Sequence, residues 1–189
     1  LGLSGYGKMK AECEKILLEA GRGGSFATTV IRPAHTYGEG AGFIHSFGWR
    51  SFFLDRLRKG KPIIVHGDGS SLWVVTHADD FGRGFLGLLG NGRALGHAFH
   101  ITSDEVLTWD QIYQTIAQAL GVEAKIVHIP SDFIARVAPQ MAGSLLGDKT
   151  WSTVFDNSKI KAFVPGFQAA IPFREGIRRT LAWFAADER

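Results

Sequence analysis

Apolar residues repeat with helical spacing near the start of the chain and again near its end. In residues 5–20 one stripe collects the apolar side chains of Met9, Cys13, Ile16, Leu17 and Ala20. Charged residues occupy the other positions, which predicts an amphipathic helix with Cys13 buried on its apolar face. A similar stripe runs from Phe173 to Phe184, directly after Pro172, and predicts a last helix that faces the core.

Between these two helices, runs of strand length alternate with further helical patterns. Residues 26–31 form a β-branched run without alternation, which is typical of a strand covered on both faces in a parallel sheet. Further strands are predicted at 62–66, 72–77, 98–101 and 125–129. Helices are predicted at 43–59, after a cap at Asp79 or Asp80, from a capping box at Thr108, and after a cap at Ser131. Residues 140–150 have no clear pattern, and the alternation as a whole predicts an α/β protein.

Composition narrows the class of protein. Of the 189 residues, 45% are apolar and 21% are charged, which is ordinary for a globular protein. The net charge of +3 comes with scattered basic residues, apart from residues 56–61 and 178–179, and solvated helix ends explain these better than a nucleic-acid partner does. A single cysteine excludes an internal disulfide and indicates a reducing compartment, so we expect a cytoplasmic protein.

No His or Cys spacing suggests a metal site, and no apolar run is long enough to span a bilayer, so we expect neither a metal nor a membrane partner. The chain begins with Leu1, only five residues before its most informative motif. We therefore expect it to be a piece of a longer protein.

Tyr6 and Lys10 are the leading candidates for chemistry. Four residues apart on a predicted helix, they share one face, which brings a phenol close to an ammonium. The cation favours the phenolate, so such a tyrosine can exchange a proton with a substrate hydroxyl or carbonyl. Taken alone, the spacing is weak evidence, because it arises often by accident.

Downstream motifs strengthen this interpretation. One helix and one strand after Tyr6 comes the segment Arg32-Pro33-Ala-His35-Thr-Tyr-Gly-Glu-Gly, and later come Gly-Asp-Gly at 67–69, the acidic cap at 79–80 and Asp-Asn-Ser-Lys at 156–159. In this order and spacing the chain resembles the C-terminal part of an extended short-chain dehydrogenase/reductase, of the NAD-dependent epimerase/dehydratase family. The resemblance covers essentially the whole chain.

The resemblance implies part of a Rossmann-like parallel sheet together with a small α/β substrate domain. Residues 1–40 and 72–105 would belong to the Rossmann domain, and residues 41–71 and 106–189 to the substrate domain. It also implies NAD or NADP as cofactor and a homodimer as the assembly. The family's glycine-rich cofactor turn has no counterpart in this sequence.

The resemblance also implies roles for individual residues. Tyr6 would be the general acid/base, and Lys10 would assist it and bond the nicotinamide ribose. Ile31, Pro33 and His35 would lie near the nicotinamide. His35 could also reach the substrate, with a hydrogen bond inside its own loop as the alternative. Arg32, His66 or Arg50 could supply charge to the substrate from another direction.

Trp73 stands where nucleotide-sugar members of the family carry a diphosphate-binding arginine. An indole cannot pair with phosphate as a guanidinium does, so the substrate is expected to be a small, sugar-like molecule other than a typical nucleotide-sugar. Trp73 would line a pocket or belong to the core, and the sequence does not choose between these. Two alternatives to an oxidoreductase, epimerase or dehydratase stay open, namely a non-catalytic relative that binds nucleic acid and an inactive fragment.

Overall fold

The computed structural model describes residues 5–48 and 51–187. Its helices are α1 (Gly5–Arg22), α2 (Phe52–Arg58), α3 (Ala78–Leu88), α4 (Trp109–Ala119), α5 (Ser131–Val137), α6 (Ala142–Ser144), α7 (Ser158–Phe163) and α8 (Phe173–Asp187). Its strands are β1 (Val30–Pro33), β2 (His35–Tyr37), β3 (Ile63–His66), β4 (Leu72–Trp73), β5 (Val75–His77), β6 (Ala98–Ile101), β7 (Leu107–Thr108) and β8 (Ile126–Ile129). A 3₁₀ turn at Gly92–Ala94, another at Pro139–Met141 and a π-helical turn at Leu145–Lys149 complete the order.

Within the described residues the strands pair two by two. Three pairs are parallel: β1 with β6, β2 with β5, and β3 with β8; β4 pairs with β7 in the antiparallel sense. Parallel strands need long crossover connections, and here these contain the helices. The predicted α/β class is confirmed.

Two hydrophobic clusters hold these elements together. The larger one packs α2, α4 and α8 around β3 and β5, with Trp109, Tyr113 and Phe173 fully buried at its centre. The smaller one packs α3 and α7 against β6 through Phe99, Ile101 and other apolar side chains. The predicted division into two domains stays a prediction.

Helix α1 differs from the prediction in its burial. None of its side chains is fully buried, Met9 and Ile16 are exposed, and Cys13 is exposed although it was predicted to be buried. The reason is that no described element packs over its apolar stripe. Strand β1 is likewise less covered than expected, because it pairs only with β6 among the described residues, and Arg32 and Pro33 are exposed.

The helix predicted at 43–59 is present only as α2, and residues 49 and 50 lie outside the described residues. The preceding residues 43–46 are buried without helical structure. Side-chain acceptors replace the helical hydrogen bonds there: the Ser46 N–H donates to the Tyr113 hydroxyl at 2.9 Å, and the Phe47 N–H donates to His45 Nδ1 at 2.9 Å. Burial of Phe43 and Ile44 therefore overrides the local helical pattern.

Helix α3 begins on a cap that the sequence did not predict. His77 Nδ1 accepts the Asp79 N–H at 3.2 Å, whereas the buried Asp80 carboxylate accepts the N–H groups of Ala170 and Ile171. The predicted cap at Asp79 or Asp80 is thus wrong, and Asp80 instead joins α3 to the segment before α8. Helix α4 does begin with the predicted capping box of Thr108 and Gln111.

Candidate active site

A cleft of about 560 Å³ opens beside the start of α1 and the junction of β1 and β2. Its walls come from four parts of the chain. The first half contributes Tyr6 on α1 and residues 33–36 at the junction of β1 and β2. The remaining wall consists of Trp73 and Val74, at the end of β4, and of Asp148, Lys149, Thr153 and Phe155, in and after the π-helical turn. A cleft of this size suits a small organic ligand.

Tyr6 and Lys10 lie on the same face of α1, as their spacing predicted. Lys10 Nζ is 5.5 Å from the centroid of the Tyr6 ring, and the Tyr6 side chain is 67% exposed on the cleft wall. The ammonium is thus within the range of a cation–π contact with the phenol ring. The phenol hydroxyl is accessible to a ligand in the cleft, with a cation one helical turn away.

His35, on β2, is held by Trp73, on β4. The Trp73 Nε1–H donates to His35 Nδ1 at 3.1 Å, so the imidazole accepts on Nδ1 and carries its proton on Nε2. Burial, and to a smaller extent the nearby Lys149 ammonium, lowers the pKa of His35 to about 4. His35 is therefore neutral at physiological pH and contributes a fixed polar wall. The sequence allowed a hydrogen bond within the loop of His35 as an alternative, but the donor to Nδ1, Trp73, lies on β4 outside that loop.

Trp73 combines the two roles between which the sequence could not choose. Its indole lines the cleft, yet it is buried and packs on Trp109 with a ring-centroid distance of 5.3 Å. The antiparallel pairing of Trp73 with Leu107 fixes its position. The indole thus joins the cleft wall to the larger hydrophobic cluster.

Two of the predicted site residues point elsewhere. The Arg32 guanidinium makes a two-pronged contact with the Glu14 carboxylate on α1, with Nε to Oε2 at 2.8 Å and a second bond from Nη2 to Oε1. Ile31 lines a separate apolar cavity with Phe85 and Leu88. Arg32 therefore ties α1 to β1 in this structure and is not part of the cleft wall.

Lys149 is the cleft residue that the sequence did not single out, because it lies in the segment without a clear pattern. Its side chain is 13% exposed, and burial lowers its pKa. The nearest carboxylate oxygen is Asp148 Oδ2, 3.9 Å from Nζ, which is beyond hydrogen-bond distance. The signal available in the sequence was that two charged residues, Asp148 and Lys149, stand between the apolar Leu145–Leu146 pair and Trp151.

A buried chain of hydrogen bonds holds the backbone of Lys149. The Tyr113 hydroxyl donates to Ser46 Oγ at 3.0 Å, and Ser46 Oγ lies 2.9 Å from His66 Nδ1. His66 Nε2 donates to the Lys149 carbonyl at 2.9 Å, and Ser71 Oγ donates to the same carbonyl at 2.9 Å. Burial also lowers the pKa of His66, which favours the neutral ring.

The described residues contain no group of three His, Cys, Asp or Glu side chains arranged to hold a metal ion. No helix in residues 5–48 and 51–187 is both long and apolar enough to cross a bilayer.

The fold and the cleft can now be compared with known proteins. Residues 2–102 match the NAD dependent epimerase/dehydratase family, and the chain belongs to this family. It is 29% identical over 166 residues to 2'-dehydrokanamycin reductase of Streptomyces kanamyceticus, which covers 88% of this chain and 47% of that protein. It is 32% identical over 128 residues to the chloroplast stem-loop binding protein of 41 kDa b of Arabidopsis thaliana, which covers 67% of this chain and 32% of that protein.

A solved structure shows the same fold. UDP-glucuronic acid 4-epimerase from Bacillus cereus superposes with a TM-score of 0.78 at 18% identity, over 98% of this chain and 54% of that one. The predicted family and the Rossmann-like α/β fold are thereby confirmed. The chain spans less than half the length of the two relatives named above.

Proposed function

We propose that this chain supplies the catalytic acid/base and the substrate cleft of an NAD- or NADP-dependent oxidoreductase, epimerase or dehydratase. The substrate would be a small, sugar-like molecule that reacts at a hydroxyl or carbonyl carbon. The observation that carries the proposal is the position of Tyr6. Its phenol lies on the wall of the same cleft as Trp73 and Lys149, with Lys10 one helical turn away.

The residues around Tyr6 fit a nicotinamide cofactor. Tyr6 and Lys10 are both exposed on α1, and Pro33 and Ala34 contribute the neighbouring strand end to the cleft. Lys10 would donate to the nicotinamide ribose, and the backbone of residues 31–35 would lie beside the carboxamide. When bound, nicotinamide supplies the hydride chemistry at its C4 atom.

The protein's own part is to move a proton and to orient the substrate. Tyr6 Oη would accept the hydroxyl proton of an alcohol substrate and return it to the carbonyl oxygen in the opposite direction. The neutral His35 and the Trp73 indole form a fixed wall that limits how the substrate can turn.

Nicotinamide absorbance tests this proposal directly. The full-length protein is mixed with NAD⁺ or NADP⁺ and a panel of small polyols and sugars. A dehydrogenase gives a lasting rise in reduced-nicotinamide absorbance, and an epimerase or dehydratase gives a transient rise in a single turnover. A protein that binds the cofactor and shows neither signal across the panel would contradict the proposal.

A second candidate function is suggested by the similarity to the stem-loop binding protein. Its basis in this structure is the exposed basic end of α2, which includes Arg56, Arg58 and Lys59, together with Lys61. RNA held by such side chains would dissociate steeply as salt rises, and binding would survive Tyr6→Phe. If neither RNA binding nor its salt dependence is seen, this candidate falls and the first is untouched.

A further inference from the structure

We propose that the Lys149 ammonium anchors an anionic oxygen group of the substrate, a carboxylate or a phosphate, within the Tyr6 cleft. The inference rests on the proposed function, since it gives that same cleft a substrate class. It adds a specificity-determining residue from a segment in which the sequence pattern indicates no site.

The first observation is that the Lys149 ammonium has one long ion-pair contact, to Asp148, and no closer carboxylate among the described residues. Its side chain is largely buried, yet Nζ makes no hydrogen bond to any described residue. Asp148 is 54% exposed and its Oδ2 atom stays 3.9 Å away, so water competes strongly for that contact. Partial burial of an ammonium with unsatisfied donors costs stability, and an anionic ligand would offset this cost.

The second observation is that the fold fixes Lys149 in this position. His66 Nε2 and Ser71 Oγ both donate to its carbonyl oxygen, from β3 and from the turn before β4. His66 is fixed in turn by the buried Ser46 and Tyr113 hydroxyls. Because the backbone is held from two sides, Lys149 joins the cleft wall at a defined point of the chain.

The third observation concerns the rest of the wall. Trp73 and Phe155 present aromatic surfaces, and His35 is neutral. Apart from Lys149, the charged residue that lines the cleft is Asp148. A lysine acts as a single point charge and lacks the fork of an arginine, so it suits one carboxylate or one monophosphate better than a diphosphate.

The test uses three sugar probes of similar size and the full-length protein. D-glucuronate carries a carboxylate, D-glucose 6-phosphate carries a phosphate, and D-glucose is the neutral control. Dissociation constants are measured by calorimetry for wild type, Lys149→Met and Lys149→Arg. Lys125→Met, which removes an exposed lysine outside the cleft, is the matched control.

We expect wild type to bind at least one anionic probe about 10-fold or more tightly than D-glucose, as a charge-assisted hydrogen bond supplies. The probe that binds more tightly shows whether Lys149 prefers a carboxylate or a phosphate. Lys149→Met should lose the preference and keep the affinity for D-glucose, whereas Lys149→Arg and Lys125→Met should keep both. Equal binding of all three probes by wild type, or an unchanged preference in Lys149→Met, would overturn the proposal.

Two further measurements separate this proposal from a purely structural role and from the proposed function. Without ligand, Lys149→Met and Lys149→Gln should unfold at the wild-type temperature or above it, because each removes a largely buried charge whose ion pair with Asp148 is long and open to water. A lower unfolding temperature in both variants would contradict the account. Tyr6→Phe should retain the anion preference while turnover is lost, so the anion preference and the catalytic role of Tyr6 can fail independently.

Discussion

At the scale of single residues, the environment of each side chain decides what it can do in the cleft. His35 and His45 are both histidines, which titrate near neutral pH when exposed to water. Burial lowers the pKa of each to about 4. Their surroundings therefore make them neutral hydrogen-bonding and packing groups.

The two histidines should make the protein sensitive to acid. The pKa in the folded state lies below the unfolded value of 6.5, so the unfolded chain takes up protons first as pH falls. Stability is full above pH 6.5 and is lost between pH 6.5 and 4, by up to about 3 kcal/mol for each histidine. Denaturant unfolding at several pH values measures this. His35→Gln should lose less stability over that range than wild type, and an equal loss would contradict the assignment.

Two buried tyrosines offer a matched comparison of hydroxyl groups. The Tyr37 hydroxyl is buried without a hydrogen-bond partner among the described residues, whereas the Tyr113 hydroxyl bonds Ser46 twice. Tyr37→Phe should leave the free energy of unfolding unchanged or raise it, and Tyr113→Phe should lower it by about 1–3 kcal/mol. Thermal or denaturant unfolding of both variants decides this, and the reverse order would be inconsistent with the described network.

At the scale of secondary-structure elements, a few side-chain contacts set the position of the functional groups. The Arg32–Glu14 pair connects α1, which carries Tyr6, to β1. The Lys149 carbonyl is held by His66 and Ser71, and this orders the π-helical turn. Neither contact could be derived from the sequence, because each joins residues that are distant along the chain.

The role of Arg32 can be tested by comparing the two partners of this ion pair. If Arg32 positions α1, then Arg32→Met and Glu14→Gln should change kcat and KM to the same extent, with less than about 1 kcal/mol lost in stability because the pair is largely exposed. If Arg32 instead binds substrate, as the sequence analysis left open, only Arg32→Met should raise KM. Steady-state kinetics of both variants in the full-length protein distinguishes the two roles.

At the scale of the whole molecule, the sequence predicted the order of elements better than their burial. The strand at 98–101 and the capping box at Thr108 are local patterns, and both are present in the structure. The exposure of Cys13 and the buried position of Asp80 depend on which elements pack together, which periodicity does not report. The loop at 43–46 gave a helical pattern, but its burial against α4 determined its conformation.

Likewise, some residues of the candidate site could be predicted from the sequence and others could not. The placement of Tyr6 and Lys10 on one helical face follows from their spacing, and the proximity of His35 to Trp73 follows from parallel pairing of β2 with β5. Lys149 enters the cleft from a π-helical turn some 140 residues after Tyr6. No local rule places such a segment, so this part of the site needed the folded structure.

The central claim is that the Tyr6 hydroxyl transfers the proton during turnover. The most direct test is the turnover of Tyr6→Phe in the full-length protein, with Tyr37→Phe as a control that loses the same atom from a buried residue that does not line the cleft. The account predicts that Tyr6→Phe keeps cofactor affinity and loses turnover by about 100-fold or more, while Tyr37→Phe stays within about two-fold of wild type. Wild-type turnover in Tyr6→Phe would contradict it.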